Sequence, residues 1–397
     1  MTESKKINHI LYLDGLRGVA ALVVCVHHFL VAFYPAMHSG DPKSSHFSLD
    51  LNFAEGYFTN TPLNILYGGN FCVCIFFVLS GLVLSYRFMR DRDEEIIIAS
   101  AVKRYIRLII PIFCSVMLVF ILIKLSLFYN KEAAVFTKSD WWLGSFWNFN
   151  PSIKEMLHYT FIDIFLSVNG LYNTTLWTMY YELYGSFLVF GIAIIVTRLR
   201  KRYLLYFILC CAFFILKQNY YIAFVTGVFL SDCLVNGKLE ILNKPVFAGL
   251  ILLTALYFGS HPITGYHSIY KVLEVFKVED PFIFYHIVGA FFTLLLAVSY
   301  SPLQKLLSKK SFLFLGRLSF SMYLLHVPIY GSLGCYLFLQ LHEHLSYHMT
   351  CLIVFAVCFI VLFGSSFLMA KYVDEFSIRF SGKIYSKYFK AEKNLVA

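Results

Sequence analysis

The chain has 397 residues, of which 59% are hydrophobic and only 14% are charged, and its mean hydropathy is +0.69. A soluble globular protein of this composition would need a core of implausible size, so the composition indicates a polytopic membrane protein. The formal net charge of +10 does not require a nucleic-acid partner, because basic cytoplasmic loops that face the anionic inner leaflet explain it.

Apolar runs separated by polar breaks predict an all-α bundle of ten transmembrane helices. A run of about 20 apolar residues is long enough to cross roughly 30 Å of hydrocarbon as a helix. The predicted spans are 11–34, 66–86, 108–129, 174–197, 203–217, 219–235, 246–260, 282–301, 311–336 and 349–371. The fifth to seventh spans are short and the break around Gln218 is very tight, so a bundle of eight or nine spans is an alternative.

The distribution of basic residues predicts that both ends of the chain lie in the cytoplasm. With the N-terminus inside, 23 of the 33 Lys and Arg residues fall in cytoplasmic segments and 7 fall in outer segments, in keeping with the positive-inside rule. We therefore expect a cytoplasmic N-terminus at 1–10, one membrane domain at 11–371 and a basic cytoplasmic tail at 372–397. The expected location is the inner or plasma membrane of the cell, with membrane lipids around the bundle.

Cysteine and histidine patterns do not indicate a metal site. All ten cysteines fall in apolar runs, where they are expected to pack as small hydrophobic side chains. The outer loops hold several histidines, but no acid or cysteine set accompanies them as zinc would need. These histidines are His158, His261, His267, His342, His344 and His348. The outer tryptophans Trp141, Trp142 and Trp147 are expected to act as interfacial anchors.

Two ionisable residues in the first span, Arg17 and His28, are the first candidates for function. A charge at membrane depth costs several kcal/mol, so such residues are rare without a role. Eleven residues correspond to three helical turns plus about 20°, which places both side chains on one face, roughly 16 Å apart. Asp14 lies on nearly the same face one turn before Arg17 and is expected to hold its guanidinium in place.

Distance from the span ends divides the ionisable residues into an inner and an outer level. Arg17 and Arg317 lie about 9 Å above the inner surface and form a cationic inner level that we expect to bind an anionic substrate. His28, Glu182 and His326 lie roughly 9 to 15 Å below the outer surface. This outer level is suited to proton transfer, because imidazole titrates near neutrality.

The two levels fit a reaction in which an elongated anionic donor enters from the cytoplasm and reacts further out. Acyl-coenzyme A has that shape, and its phosphates would meet Arg104, Arg107 and Arg17 through charge-assisted hydrogen bonds. His28 would take the proton of an acceptor hydroxyl or accept the acyl group itself. Glu182 would orient or recharge the His28 imidazole. No metal is required by this chemistry.

Five segments resemble, in order, the signatures of the acyltransferase-3 family of integral-membrane acyltransferases. They are YLDGLRGVAALVVCVHHF (12–29), GGNFCVCIFFVLSGLVLSYRF (68–88), KRYIRLIIP (103–111), LWTMYYELYGSFLVF (176–190) and LGRLSFSMYLLHVPI (315–329). The resemblance implies transfer of an acyl group, usually acetyl, from a cytoplasmic donor such as acetyl-coenzyme A. The implied acceptor is a hydroxyl on a glycan, a lipid-linked sugar or another small molecule.

The resemblance also implies roles for single residues. The arginine and histidine implicated in catalysis in that family fall on Arg17 and His28, and its RxxR element falls on Arg104 and Arg107. The family's other motif positions fall on Phe76, Phe77, Ser80 and Gly81, on Trp177 and Glu182, and on Ser319, Tyr323 and His326. Asp14, Trp177, Ser80, Ser319 and Tyr323 are expected to orient the site. The chain departs from the family pattern at Leu183, where some members carry a second acid, and at Phe320, where a tyrosine is frequent.

Structural explanations and a second function are alternatives at this point. Ser80 and Gly81 are also typical of close helix packing, and Arg104 and Arg107 are typical of basic residues that bind inner-leaflet phospholipids. Polar groups within a ten-helix bundle would equally line the path of a transporter of a glycan intermediate. Against transport, the sequence has no evident inverted repeat and no pair of spans broken by Gly or Pro.

Overall fold

A computed structural model describes residues 10–46, 58–59, 61–263 and 269–389, and within them the protein is helical with no strand. The all-α prediction is therefore confirmed. The ten apolar helices are α1 (Leu11–Phe33), α2 (Gly69–Asp91), α3 (Glu94–Lys124), α4 (Trp177–Arg198), α5 (Arg202–Ile215), α6 (Asn219–Val235), α7 (Pro245–Gly259), α8 (Pro281–Ser299), α9 (Lys310–Ile329) and α10 (Tyr347–Met369). Each of the ten predicted spans overlaps one of them, although α3 begins at Glu94, fourteen residues before the predicted span that starts at 108.

Seven of these helices are long and apolar enough to cross a membrane, and α5, α6 and α7 are shorter apolar helices. The protein is thus a multi-pass membrane bundle, and the span count of ten stays a prediction. The predicted cytoplasmic position of both ends also stays a prediction, because residues 1–9 and 390–397 lie outside the described part. His267 lies outside it as well.

Short helices occupy the segments between the apolar helices. They are Ala36–Ser39, Pro42–Ser44, Pro62–Tyr67, Asn130–Thr137, Leu143–Ser145, Ile153–His158, Tyr159–Asp163, Ile164–Leu166, Thr174–Leu176, Glu240–Leu242, Ile269–Phe276 and Ser301–Leu307. Helix α9 continues through a π-helical turn, Tyr330–Gly334, into Cys335–Leu341. The outer segment that follows α3 therefore folds on the bundle as short helices.

Glycines permit two close helix crossings that shape the region of the candidate site. A Cβ atom on Gly18 of α1 would overlap the backbone of Gly316 in α9, and one on Gly81 of α2 would overlap the backbone of α6 beside Gly227. Small residues at a crossing let two helix backbones approach, which is how helices pack without a hydrophobic driving force in lipid. The packing interpretation of Gly81 is therefore correct, and the α1–α9 crossing sets the geometry of the candidate site.

The predicted boundary between membrane domain and tail at residue 371 falls inside a helical segment. Helix α10 continues through Ala370–Asp374 into α11 (Glu375–Tyr388). Helix α11 packs on α3, where the Tyr385 hydroxyl bonds Glu95 and the ammonium of Lys103 lies over the Tyr385 ring. The first part of the predicted tail is therefore a helix packed on the bundle. Residues 390–397 are outside the described part.

The cysteines pack as predicted. All ten are free and are buried or half-buried among apolar side chains. None of them forms a disulfide, so the fold is held by helix packing and hydrogen bonds.

Candidate active site

The α1–α9 crossing brings the two outer-level histidines together. The helices pack in a common register, since Gly18 faces Gly316 and His28 bonds His326, both pairs being 298 residues apart in sequence. On each helix, the histidine lies ten residues after the glycine of the crossing, which is roughly 15 Å of helical rise. The Cys25 thiol donates to the Met322 carbonyl between the two contacts and keeps the same register.

Hydrogen bonds determine which nitrogens of the pair carry protons. His326 Nδ1 lies 2.9 Å from the Met322 carbonyl, which can only accept, so Nδ1 is the donor. In the neutral imidazole, His326 Nε2 is then an acceptor, and it lies 2.9 Å from His28 Nδ1. His28 Nδ1 therefore donates, to this nitrogen and to the Val24 carbonyl at 3.1 Å. The lone pair of His28 is left on Nε2, which is the arrangement of a general base supported by a second residue.

A cavity of about 620 Å³ lies below the histidine pair, and the predicted cationic side chains line it. Arg17, Arg104, Arg107 and Arg317, all four predicted to bind the donor, line it. Neither His28 nor His326 lines the cavity, whose lining includes Tyr323, one helical turn below His326. The Tyr323 and His326 rings are adjacent, with centroids 6.1 Å apart. The cavity thus ends one residue layer short of the histidine pair.

Three of the four arginines are paired with carboxylates. Arg17 bonds Asp14 at 2.9 Å, as predicted. Arg104 bonds Glu182, and Arg317, half exposed, bonds Glu375 of α11 at 2.5 Å. Arg107 has no carboxylate within salt-bridge distance among the residues that the structure describes. Among the described residues, Arg107 is therefore the cavity-lining arginine that no direct salt bridge holds, and the Asp374 carboxylate on the same cavity wall only partly offsets its charge.

The predicted level of Glu182 and its predicted contact with His28 are corrected by the structure. Glu182 lines the inner cavity and accepts hydrogen bonds from Ser80 at 2.7 Å and from Arg104. Within the described part of the chain it has no hydrogen bond to His28, whose imidazole partner is His326 instead. The inner level therefore contains an acid, and the outer level is a histidine pair.

The start of α4 explains why Glu182 lies deeper than its position in the predicted span suggested. Pro328 has no N–H, so the Leu324 carbonyl in α9 is left without its helical partner. The Asn173 side-chain amide and the Ser115 hydroxyl donate to this carbonyl instead, at 2.7 and 3.0 Å. These bonds fix the residues before α4 at the depth of Leu324, well inside the bundle. Glu182 follows about two and a half turns later on a helix that descends from there.

The remaining predicted orienting residues have different surroundings. The Tyr323 hydroxyl lies 2.9 Å from Thr178 Oγ1 and donates to the Thr175 carbonyl at 3.0 Å. Ser319 lines the cavity and donates to the Gly316 carbonyl within its own helix, at 2.8 Å. Trp177 packs on Tyr220 with ring centroids 5.3 Å apart and does not line the cavity. Tyr323 and Ser319 therefore belong to the site, and Trp177 supports it from behind.

Several residues at the site were not singled out as site residues from the sequence. The Trp142 ring stacks on His28 with centroids 5.4 Å apart and an interplanar angle of 17°. Asn173 and Thr175 hold α4 against α9, and Glu375 comes from the predicted tail. No sequence signal marks Trp142 as a site residue, because its position depends on how a long outer segment folds. A proline inside a membrane helix leaves one carbonyl without its helical partner, so a side-chain donor such as Asn173 could have been expected near Pro328.

Removing one partner of the Arg104–Glu182 ion pair is expected to lower the stability of the folded protein substantially. Both side chains are mostly buried, with 13% and 16% of their surface exposed. Removing one partner of a buried ion pair leaves the other charge uncompensated and costs about 3–5 kcal/mol. We therefore expect Glu182→Gln to lower the thermal unfolding midpoint in detergent by several degrees. The double variant Arg104→Met/Glu182→Met should recover much of the loss, and an unchanged midpoint for Glu182→Gln would contradict the ion pair.

Comparison with known proteins identifies the family of the chain. The sequence model of the acyltransferase-3 family, described as an acyltransferase domain, matches residues 10–369. Among curated proteins, the chain is similar to the O-acetyltransferase PaAT-1 of Phomopsis amygdali, with 23% identity over 390 residues, covering 84% of this chain and 74% of that protein. No solved structure matches the chain. Within the described residues, no group of three or more His, Cys, Asp or Glu side chains is placed to hold a metal ion.

Proposed function

The chain belongs to the acyltransferase-3 family and is a membrane O-acyltransferase, and we propose that it uses cytoplasmic acyl-coenzyme A as its donor. The proposed acyl group is acetyl. The proposed acceptor is a hydroxyl of a glycan, a lipid-linked sugar or a similar small molecule. The observation that carries this proposal is the hydrogen-bonded His28–His326 pair directly above a cation-lined cavity.

In the proposed reaction, His28 Nε2 accepts the proton of the acceptor hydroxyl as that oxygen attacks the thioester carbonyl. The tetrahedral intermediate then collapses, the carbon–sulfur bond breaks, and the coenzyme A thiolate takes the proton from the His28 imidazolium. His326 acts as a positioning residue, since its Nε2 accepts the hydrogen bond of His28 Nδ1 while the imidazolium forms. The products are the acyl ester and free coenzyme A.

The cavity supports the donor assignment by size and charge. At about 620 Å³ it lies in the range of cavities that hold cofactor-sized ligands. Its lining runs from Leu11 and Asp14 near the start of α1 to Tyr323 below the histidine pair. The phosphates would bind at the arginines, and the pantetheine arm would carry the thioester past Tyr323. Arg107, which has no ion-pair partner among the described residues, is the arginine best able to bind a phosphate.

Arg107→Ala is expected to weaken donor binding. Loss of one charge-assisted bond to a phosphate, worth about 1.5–3 kcal/mol, should raise the KM for acetyl-coenzyme A by roughly 10- to 100-fold with little change in kcat. Acetyl-pantetheine, which lacks the nucleotide phosphates, should be used equally by Arg107→Ala and the wild type. Lys103→Ala, one turn away on α3 and outside the cavity lining, is the matched control. An unchanged KM for acetyl-coenzyme A in Arg107→Ala would refute the phosphate contact.

The proposed function itself is tested by following the label of acetyl-coenzyme A in detergent-purified protein. Equilibrium dialysis measures donor binding, and extraction of the acceptor measures covalent transfer. Binding that unlabelled coenzyme A displaces, together with labelled ester, supports the proposal. Well-folded protein that binds no acetyl-coenzyme A would overturn the donor assignment and leave the family's chemistry to another acyl donor.

A further inference from the structure

A row of aromatic rings leads from the candidate base to the protein surface. Trp142 stacks on His28, and His27 meets His28 edge-on with centroids 5.2 Å apart. His38 meets His27 edge-on at 5.1 Å, and Trp141 stacks on His38 at 5.8 Å with an interplanar angle of 18°. We call these five residues the ring row. Its far end is open, because 51% of the Trp141 surface is exposed.

The ring row lies on the side of His28 away from the inner cavity. None of its residues lines that cavity. Its inner residues belong to the outer third of α1, and its other residues follow the outer ends of α1 and α3. A ligand on the ring row would therefore approach His28 from the face opposite to the donor, as an acceptor in the proposed reaction must.

Two hydrogen bonds, one of them fully buried, hold the segment of the two tryptophans in place. The hydroxyl of Ser139, which is fully buried, donates to the Val31 carbonyl near the outer end of α1 at 2.8 Å. The Lys138 ammonium donates to the Ser45 carbonyl at 2.6 Å. Both bonds lie within four residues of the tryptophans and tie their segment to the outer end of α1 and to the chain that follows it. The stacking surface is thus preorganised, which lowers the entropy cost of binding a ligand there.

Apart from its three histidines, the ring row contains no ionisable side chain. Burial lowers the pKa of the His38 imidazole to about 4, so this ring is neutral when it stacks on Trp141. A charged ligand would find no counter-ion in the row. The flat, neutral, half-exposed surface selects a neutral ligand with an apolar face and polar edges.

A pyranose ring has those properties. The C–H bonds on one face of the ring carry partial positive charge, and the π face of an indole carries partial negative charge. The hydroxyls stay at the edge, where water or the neighbouring imidazole nitrogen can bond them. Resting on the proposed function, we propose that Trp141 is an acceptor subsite that stacks on the pyranose ring of a glycan or glycoside whose hydroxyl reaches His28.

The surroundings of the three outer tryptophans argue against a shared role as interfacial anchors. Trp147 is buried, and its Nε1 donates to the Tyr172 carbonyl at 2.8 Å. Trp142 is half-buried on His28. Only Trp141 presents a free face, and it does so from within the ring row.

The test compares a ring acceptor with an open-chain acceptor of similar hydroxyl content. Transfer of labelled acetyl to a panel of methyl pyranosides is measured beside transfer to sorbitol, with the donor KM recorded for each variant. The wild type should prefer pyranosides, and Trp141→Ala should raise the pyranoside KM by roughly 3- to 10-fold while the sorbitol KM and the donor KM stay unchanged. Trp141→Phe should keep part of the preference.

The control is Phe136→Ala, which removes an exposed aromatic side chain of the same outer segment that lies outside the ring row. Equal effects of Phe136→Ala and Trp141→Ala would make Trp141 a membrane anchor and overturn the subsite. A wild type that releases thiol from acetyl-coenzyme A but shows no preference for pyranosides would overturn it too. Failure of the proposed function would give a different result, because neither the wild type nor any variant would then bind acetyl-coenzyme A.

Discussion

His28→Ala is expected to lower kcat for acyl transfer by about 10²- to 10⁴-fold, the usual contribution of a general base. The lone pair on His28 Nε2 is the only part of the histidine pair that is not committed to another residue in the hydrogen-bond arrangement described above. Donor binding should persist with an unchanged affinity, since His28 does not line the donor cavity. The measurement is the rate of labelled ester formation at saturating acetyl-coenzyme A.

A matched control separates lost chemistry from lost folding in this experiment. His286→Ala removes another buried histidine, which bonds Asn70 at 2.9 Å and lies outside the candidate site. It should lower the unfolding midpoint at least as much as His28→Ala does while its folded fraction keeps the wild-type kcat. If His28→Ala kept most of the wild-type kcat, another group would have to be the base.

Changes at His326 should divide according to whether the new side chain can accept a hydrogen bond. His326→Leu leaves the developing imidazolium of His28 without its acceptor, a charged hydrogen bond worth about 1.5–3 kcal/mol, so kcat should fall roughly 10- to 100-fold. The amide oxygen of His326→Gln can reach the place of Nε2 and should restore most of the rate. The KM for acetyl-coenzyme A should be the same in both variants.

This pattern is one that a purely structural role of His326 would not produce. A residue needed only for packing would be replaced better by leucine than by glutamine, because the site is fully buried. Equal kcat values for the leucine and glutamine variants would show that the hydrogen bond to His28 does not assist the reaction.

The helices could be predicted from the sequence because hydropathy and length decide what spans a membrane. The intramembrane ionisable residues also stood out, since burying a charge in lipid is costly. Arg17, Arg104, Arg107 and Arg317 were assigned to one binding region from their charge, their depth and the family resemblance, and all four line one cavity. The contact of Asp14 with Arg17 followed from their helical spacing.

Long-range contacts decided what the sequence could not show. The depth of Glu182 depends on where α4 begins, and that is set by Asn173 on the carbonyl that Pro328 leaves free. The partner of Arg317 is Glu375, from a segment that looked like a tail. Trp142 reaches His28 because Ser139 anchors its segment on α1. None of these contacts has a local pattern in the sequence.

In the proposed reaction, the His28–His326 pair performs chemistry on a donor bound in the cavity below. The most direct measurement records binding of labelled acetyl-coenzyme A and, with the methyl pyranosides and sorbitol present as hydroxyl acceptors, release of free thiol on the same samples of wild type, His28→Ala and His326→Leu. Donor binding should be equal in all three, with thiol release from the wild type, almost none from His28→Ala and an intermediate rate from His326→Leu. Thiol release by His28→Ala at the wild-type rate would contradict the proposed reaction.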